Sequence, residues 1–262
     1  MLEYENIAYL DLQKTGSSTI KQVLSDVLDE AEIYSKSHKG IREDFDRSKL
    51  CFISVREPLS LYISLFSFGA GSRMGNLYKT LKRKGLEDLF APTCEAFEHW
   101  LEFVLDPANA SVLRSEYGEA PNDTIGLLSY RLLYVSVPNA LRRMQKPKYR
   151  EREQLRKLLA RHLYVDHVRL ENLGGDLFAF LKCHSARLHF RRPLTTPEAL
   201  TAQIPVRNPS PKIAGLIPER VSPELRQRVR EREWLFYEAF GYDADASGRP
   251  PKCLNAEAKL SP

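Results

Sequence analysis

Two short segments of this sequence could bind an anion. The first is Gln13-Lys14-Thr15-Gly16-Ser17-Ser18-Thr19. It sets a lysine, a lone glycine and three consecutive hydroxyls where a strand pattern gives way to a helix pattern. A helix N-terminus presents unpaired N–H groups and the positive end of the helix dipole. Gly16 lets the backbone approach a ligand closely, and Lys14 adds a charge, so the segment reads as an anion cradle. A capped helix start beside a surface lysine is the simpler alternative, with Ser17 or Ser18 as the cap.

The second segment is Val55-Arg56-Glu57-Pro58-Leu59-Ser60-Leu61-Tyr62-Ile63-Ser64. Arg56 ends an apolar strand pattern, the place where open α/β sheets hold ligands. Ser64 falls two helical turns later, and Ser60, Ser64 and Ser67 share one side of that helix. An arginine fork with a serine hydroxyl makes a phosphate clamp. The first segment is not a Walker A loop, because Lys14 precedes the only glycine instead of following a second one. No acidic strand end for Mg²⁺ stands out either, which disfavours ATP-dependent phosphoryl transfer.

The elements that must position these segments are legible in the apolar pattern. Ile7 to Leu12 reads as a buried strand interrupted only by Asp11. Ile20, Val23, Leu24, Val27 and Leu28 mark one face of a helix starting near Ser18. Ile33–Ser35 is a candidate second strand. Leu50–Val55 (LCFISV) is continuously apolar, as in a parallel strand buried on both faces. Pro58 then opens a helix with Leu59, Tyr62, Ile63 and Phe66 on its apolar face. Two strand-to-helix steps predict an α/β fold: three layers, P-loop-like, with a central parallel β-sheet flanked by helices.

Further on, Gly69 to Gly85 reads as a mobile loop, and Cys94–Leu105 and Leu173–Cys183 as helices. One or two helices are expected over 123–144, a charged helix from Lys146 to Leu163 and a late strand from Tyr164 to Val168. Residues 192–218 hold six prolines and read as extended; Ser222-Pro223 opens a last helix to about Phe240. No repeat or linker divides the chain, so residues 1–242 read as a single domain and 243–262 as a C-terminal tail.

The bulk numbers agree with an anionic small ligand. The chain has 262 residues, 43% hydrophobic content and net charge +5. That charge is too mild, without a basic stripe interleaved with aromatics, to indicate nucleic acid. Cys51, Cys94, Cys183 and Cys253 form no CxxC pair and read as thiols of a reducing compartment. Without a basic-then-apolar leader or a membrane-length apolar run, the expectation is a cytoplasmic chain with no transmembrane segment.

Taken together, KTGSST after the first strand resembles the 5′-phosphosulfate loop of PAPS-dependent sulfotransferases of the carbohydrate type (sulfotransferase family 2-like). VREPLSLYIS resembles their 3′-phosphate motif, and VDHVRLENLGGDLFAFL and SPELRQRVREREWLFYEAFGY are similar to the ends of such enzymes. The resemblance spans residues 7–242, least in the middle. It implies a transferase moving a sulfuryl group from 3′-phosphoadenosine 5′-phosphosulfate (PAPS) to a hydroxyl, leaving adenosine 3′,5′-bisphosphate, with no metal. It also implies an acceptor on a carbohydrate or glycolipid. Lys14 would stabilise the leaving group, and Gln13 and Thr15 to Thr19 would hold the 5′ end of the nucleotide. Arg56 and Ser64 would take the 3′-phosphate; Asn208, Ser210 and Lys212 would belong to a loop closing over it. His38 stands where related carbohydrate enzymes carry a base, and neutral imidazole suits that task. Glu43 and Asp44 are fallback bases. Arg169, Glu171 and Asn172 match a family motif and read as architectural.

Two positions depart from the family pattern: Gln13 where proline is frequent, and Leu61 where a basic residue is frequent. An ATP-dependent kinase of P-loop type and a non-catalytic nucleotide- or glycan-binding protein are the alternative readings. The acceptor and the oligomeric state are not legible in the residues.

Overall fold

The computed structural model describes residues 1–118, 123–201 and 211–242. The chain starts with β1 (Leu2–Glu3), β2 (Ile7–Leu10), α1 (Ser17–Val27), β3 (Tyr34–Ser35), β4 (Leu50–Val55) and α2 (Pro58–Ser72). It continues through α3 (Asn76–Lys82), α4 (Cys94–Leu105), α5 (Leu127–Ser136), α6 (Ala140–Met144) and α7 (Arg152–Leu159). β5 (Asp166–Arg169), α8 (Leu173–Cys183), α9 (Pro197–Thr201), α10 (Pro223–Arg232) and α11 (Trp234–Phe240) follow.

The five strands form one sheet in the order β3-β1-β2-β4-β5. β2, β4 and β5 run parallel, with Tyr9 opposite Phe52 and Phe52 opposite Asp166. β1 runs antiparallel to both β2 and β3. The sheet is therefore mixed, with a parallel centre and an antiparallel edge. The centre is parallel as expected, and the antiparallel edge is an addition that the sequence did not announce. β1 is only two residues long, too short for any periodicity to mark it.

Side-chain alternation along the strands divides the interior into two cores. Ile7, Tyr9, Leu50 and Phe52 pack against Ile20, Val23 and Leu24 of α1 and Leu177, Phe180 and Leu181 of α8. Ala8, Leu10, Cys51, Ile53 and Val55 face the larger core, with Tyr62 and Phe66 of α2, Trp100 of α4 and Phe236 of α11. All six residues of β4 are buried, as its uninterrupted apolarity predicts. Helices thus cover both faces, which makes three layers.

Several boundaries follow from local chemistry. Pro58 takes the first position of α2, and the Glu57 carboxylate caps that helix by accepting from the Leu59 and Ser60 amides. The expected loop of 69–85 instead carries the end of α2 and all of α3. Leu77, Tyr78, Thr80 and Leu81 are buried there, so α3 owes its existence to packing and not to local propensity. The charged helix expected over 146–163 is confined to Arg152–Leu159 behind a 3₁₀ turn, and the last helix breaks at Glu233. Within 192–218, Pro197–Thr201 is helical. Among the described residues no helix is long and apolar enough to cross a membrane.

Glu233 explains the break. Its side chain is fully buried and accepts hydrogen bonds from the Tyr62 hydroxyl and from the amides of Leu128 (3.1 Å) and Ser129 (2.7 Å). One carboxylate thereby caps α5 and ties α2 to α10 and α11. Burial and the neighbouring Glu233 raise the Tyr62 phenol well above its ordinary pKa, which keeps it a donor. At Gly126 an added Cβ would lie 2.0 Å from Glu233 Oε1, so glycine is required there by close approach. Glu233→Ala strands three buried donors, each costing about 1–3 kcal/mol. Urea unfolding should show a loss of roughly 3 kcal/mol or more, with Glu233→Gln falling between that variant and the wild type.

Candidate active site at the C-terminal edge of the parallel strands

Parallel pairing puts the C-terminal ends of β2, β4 and β5 on one edge. The loop after β2 turns sharply there: Lys14 has φ 65 and Gly16 φ 89, both left-handed. Gly16 suits this without steric cost, whereas Lys14 is held in a conformation that lysine disfavours. A buried hydroxyl chain fixes the turn. Thr15 donates to the Leu12 carbonyl at 2.8 Å, so its single proton is committed. Ser54 of β4 must then donate to Thr15 (2.5 Å) and Tyr9 to Ser54 (2.5 Å).

This geometry corrects two expectations. Thr15 is fully buried and its hydroxyl faces the sheet, not a ligand. The Ser17 hydroxyl turns back onto the Asp11 carboxylate and the Leu12 carbonyl. Neither Ser17 nor Ser18 caps α1; Gly16 occupies that position and no side chain caps the helix. The first-turn amides of Ser17, Ser18 and Thr19 are therefore left for a ligand or water. The Ser18 and Thr19 side chains are partly exposed on that turn.

Two cations converge on this edge. The Lys14 ammonium lies 4.3 Å from the centre of the Phe68 ring on α2. Burial lowers its pKa, and the charge of Arg56 lowers it further. Burial likewise lowers the Arg56 pKa, opposed by the charges of Glu171 and Glu57. Neither cation has an ion-pair partner within 4.0 Å among the described residues. Ser64 is buried one turn before Phe68 on the same face of α2. Pro211 packs against Gly71 at the end of that face, which brings Lys212, exposed, to the same side of the molecule. Asn208 and Ser210 lie outside the described residues.

His38 sits across the loop from α1. Its Nδ1 is 3.2 Å from Asp11 Oδ1 and 3.3 Å from the Asp11 carbonyl. Two acceptors place the proton of a neutral imidazole on Nδ1 and leave the Nε2 lone pair available. Asp11 is fully buried and also pairs with Lys21 at 2.9 Å. Burial raises the Asp11 pKa, but His38, Ser17 and Lys21 outweigh it and hold the carboxyl below the usual carboxylate range. Asp11 was visible in the sequence only as a polar interruption of a strand. A charged residue inside an apolar run, beside a glycine loop, is the signal that could have singled it out.

His38 and Asp11 open onto a cavity of about 910 Å³, walled also by Gln13, Lys79 of α3 and Tyr130 and Tyr134 of α5. Its size lies in the upper range of small-molecule sites. Glu43 and Asp44 are exposed and do not line it; Asp44 pairs with Arg42 at 3.5 Å. Leu61 is buried in the larger core, so that position turns away from the edge and a cation there would be stranded. Arg169, Glu171 and Asn172 are architectural, as expected. Arg169 donates to the Phe240 carbonyl at 2.5 Å, Asn172 to Asp176 at 2.8 Å, and Glu171 accepts the Glu57 amide at 2.8 Å.

The depressed Asp11 pKa makes a pH prediction. Its contribution to stability is fully present above the unfolded value near ~4 and is lost as pH falls towards the lower folded value. Urea unfolding of wild type and Asp11→Asn should therefore differ most near pH 5, and the gap should narrow by pH 3. A gap independent of pH would refute the pairing.

Comparison of the chain with protein-family models, with curated proteins and with solved structures finds no match to any of the three.

Proposed function

We propose that the chain is a PAPS-dependent sulfotransferase with a P-loop-like arrangement of strand, turn and helix. The observation that carries this reading is the pair of half-buried cations, Lys14 and Arg56, neither with an ion pair within 4.0 Å among the described residues, the charge of Arg56 depressing the Lys14 pKa. Holding two such charges near each other costs free energy that a bound polyanion recovers. A nucleotide with phosphate groups at both its 5′ and 3′ positions offers one anion to each. The uncapped turn at Ser17–Thr19 supplies amide donors for the 5′ end.

PAPS supplies the activated sulfuryl group as co-substrate. His38 Nε2 takes the proton of the acceptor hydroxyl while Asp11 holds the ring and balances the imidazolium charge. The acceptor oxygen forms the new bond to sulfur as the bond from sulfur to the phosphate oxygen breaks. The electron pair of that bond remains on the phosphate oxygen. Lys14 stabilises the charge that grows there, an interaction stronger in the transition state than before it. Arg56 anchors the 3′-phosphate and selects against ATP, which lacks it. The hydroxyls of Thr15 and Ser17 shape the turn and take no part in binding.

Calorimetric titration with adenosine 3′,5′-bisphosphate tests the reading, with ATP as control and without added metal. The wild type should bind the bisphosphate with micromolar affinity, on the order of −8 kcal/mol. Arg56→Ala should abolish this binding and ATP should not compete. Failure to bind the bisphosphate, or equal binding of ATP, would overturn the proposal.

A further inference from the structure

The cavity beside His38 has an imbalance of charge. Among the described residues Lys39, Lys79, Lys82, Arg83 and Arg131 line it, against two acids, Asp11 and Glu116. Both acids are committed within the protein. Asp11 serves Lys21 and His38, while Glu116 accepts from Arg131 at 2.7 Å and from Thr80 at 2.9 Å. Lys79, Lys82 and Arg83 project from one side of α3 at spacings of three and four residues. None of these three, nor Lys39, pairs with an acid among the described residues. Among the described residues Arg83 donates to the Lys79 carbonyl and the Thr80 hydroxyl.

A second observation points inward. Arg131 is 13% exposed and uses Nη2 for Glu116, but its Nη1 is buried with no hydrogen-bond partner. A buried guanidinium nitrogen without an acceptor is costly, and it borders the same cavity. Tyr130 and Tyr134 add aromatic surface to that wall, suited to the apolar face of a ring.

We infer that this cavity takes a hydroxyl compound that itself carries a carboxylate or phosphate group, with the anion on the α3 cations and the hydroxyl at His38. The fate of the hydroxyl rests on the sulfuryl-transfer reading; the preference for an acid rests on the cavity alone. Separate groups serve the two steps: Lys14 and Arg56 hold the donor, whereas Lys79, Lys82 and Arg83 select the acceptor.

The test uses the full chain and three probes: methyl glucuronoside, glucose 6-phosphate and neutral methyl glucoside. Affinities are measured by NMR titration, and binding of adenosine 3′,5′-bisphosphate is measured alongside. At least one acid should bind roughly fivefold or more tightly than the neutral sugar, a margin expected of two or three partly solvated ion pairs. Which acid binds better identifies carboxylate or phosphate as the anion. The exposed pair change Lys79→Ala/Lys82→Ala should remove that margin while leaving the neutral sugar, the bisphosphate and the thermal midpoint unchanged. Equal affinity for acid and neutral probes, no binding of either acid, or a margin that survives the double change would overturn the inference. If the bisphosphate binds in those cases, the donor reading stands without it. Acid preference with no bisphosphate binding would instead sink the donor reading and keep this one.

Discussion

The site depends on one buried chain of hydroxyls, from Tyr9 through Ser54 and Thr15 to the Leu12 carbonyl. It joins the end of β2, the middle-to-end of β4 and the turn between β2 and α1. Each hydroxyl has one proton, and the Leu12 carbonyl fixes the direction in which all three point. The turn cannot swing away from the sheet without leaving a buried donor or acceptor unpaired. Lys14 and Gly16 are thereby kept in left-handed backbone conformations, with the start of α1 aimed along the strand edge. The Ser17 bond to Asp11 adds a second tie, so that the same turn also positions the His38 dyad.

A turn fixed in this way can carry unfavourable electrostatics. Burial and the charge of Arg56 lower the affinity of Lys14 for its proton, and the Phe68 ring lies against its ammonium. Across the loop the logic is reversed. Asp11, fully buried, is stabilised as a carboxylate by His38, Ser17 and Lys21. One edge of the sheet thus holds two cations without a close ion pair among the described residues and, a few residues away, the paired Asp11 and His38. In the proposed sulfuryl transfer an anionic leaving group departs beside the cations while a proton is withdrawn at His38. The larger core stands behind both, with Glu233 joining α2, α5 and the C-terminal helices so that Arg56 and α3 keep their places.

Much of this was legible in the residues because the relevant forces are local or periodic. LCFISV could only be a strand buried on both faces, and its bounds are Leu50–Val55. The helices Cys94–Leu105 and Leu173–Cys183 begin and end where their apolar faces do. Pro58 after Arg56 marked the strand-to-helix step, and Gly16 marked the turn. The strand-to-helix steps were enough to place Lys14 and Arg56 at strand ends, whereas His38 was marked only by the family resemblance.

What the sequence determined by itself was therefore the alternation of elements and the loops that carry charge, since burial periodicity and turn chemistry are properties of neighbouring residues. Only the tertiary structure decided which groups are free to act. Thr15 and Ser17 look like ligand hydroxyls beside Ser18 and Thr19, yet their partners, Ser54 and Asp11, come from a strand 39 residues away and from the opposite side of the turn. Asp11 read as a blemish in a strand until His38 and Lys21 closed around it. α3 read as loop because its stability comes from burial of Leu77, Tyr78 and Leu81 against distant elements. Long-range contacts allot hydrogen-bond partners and water access, and no local pattern of residue types encodes that allotment.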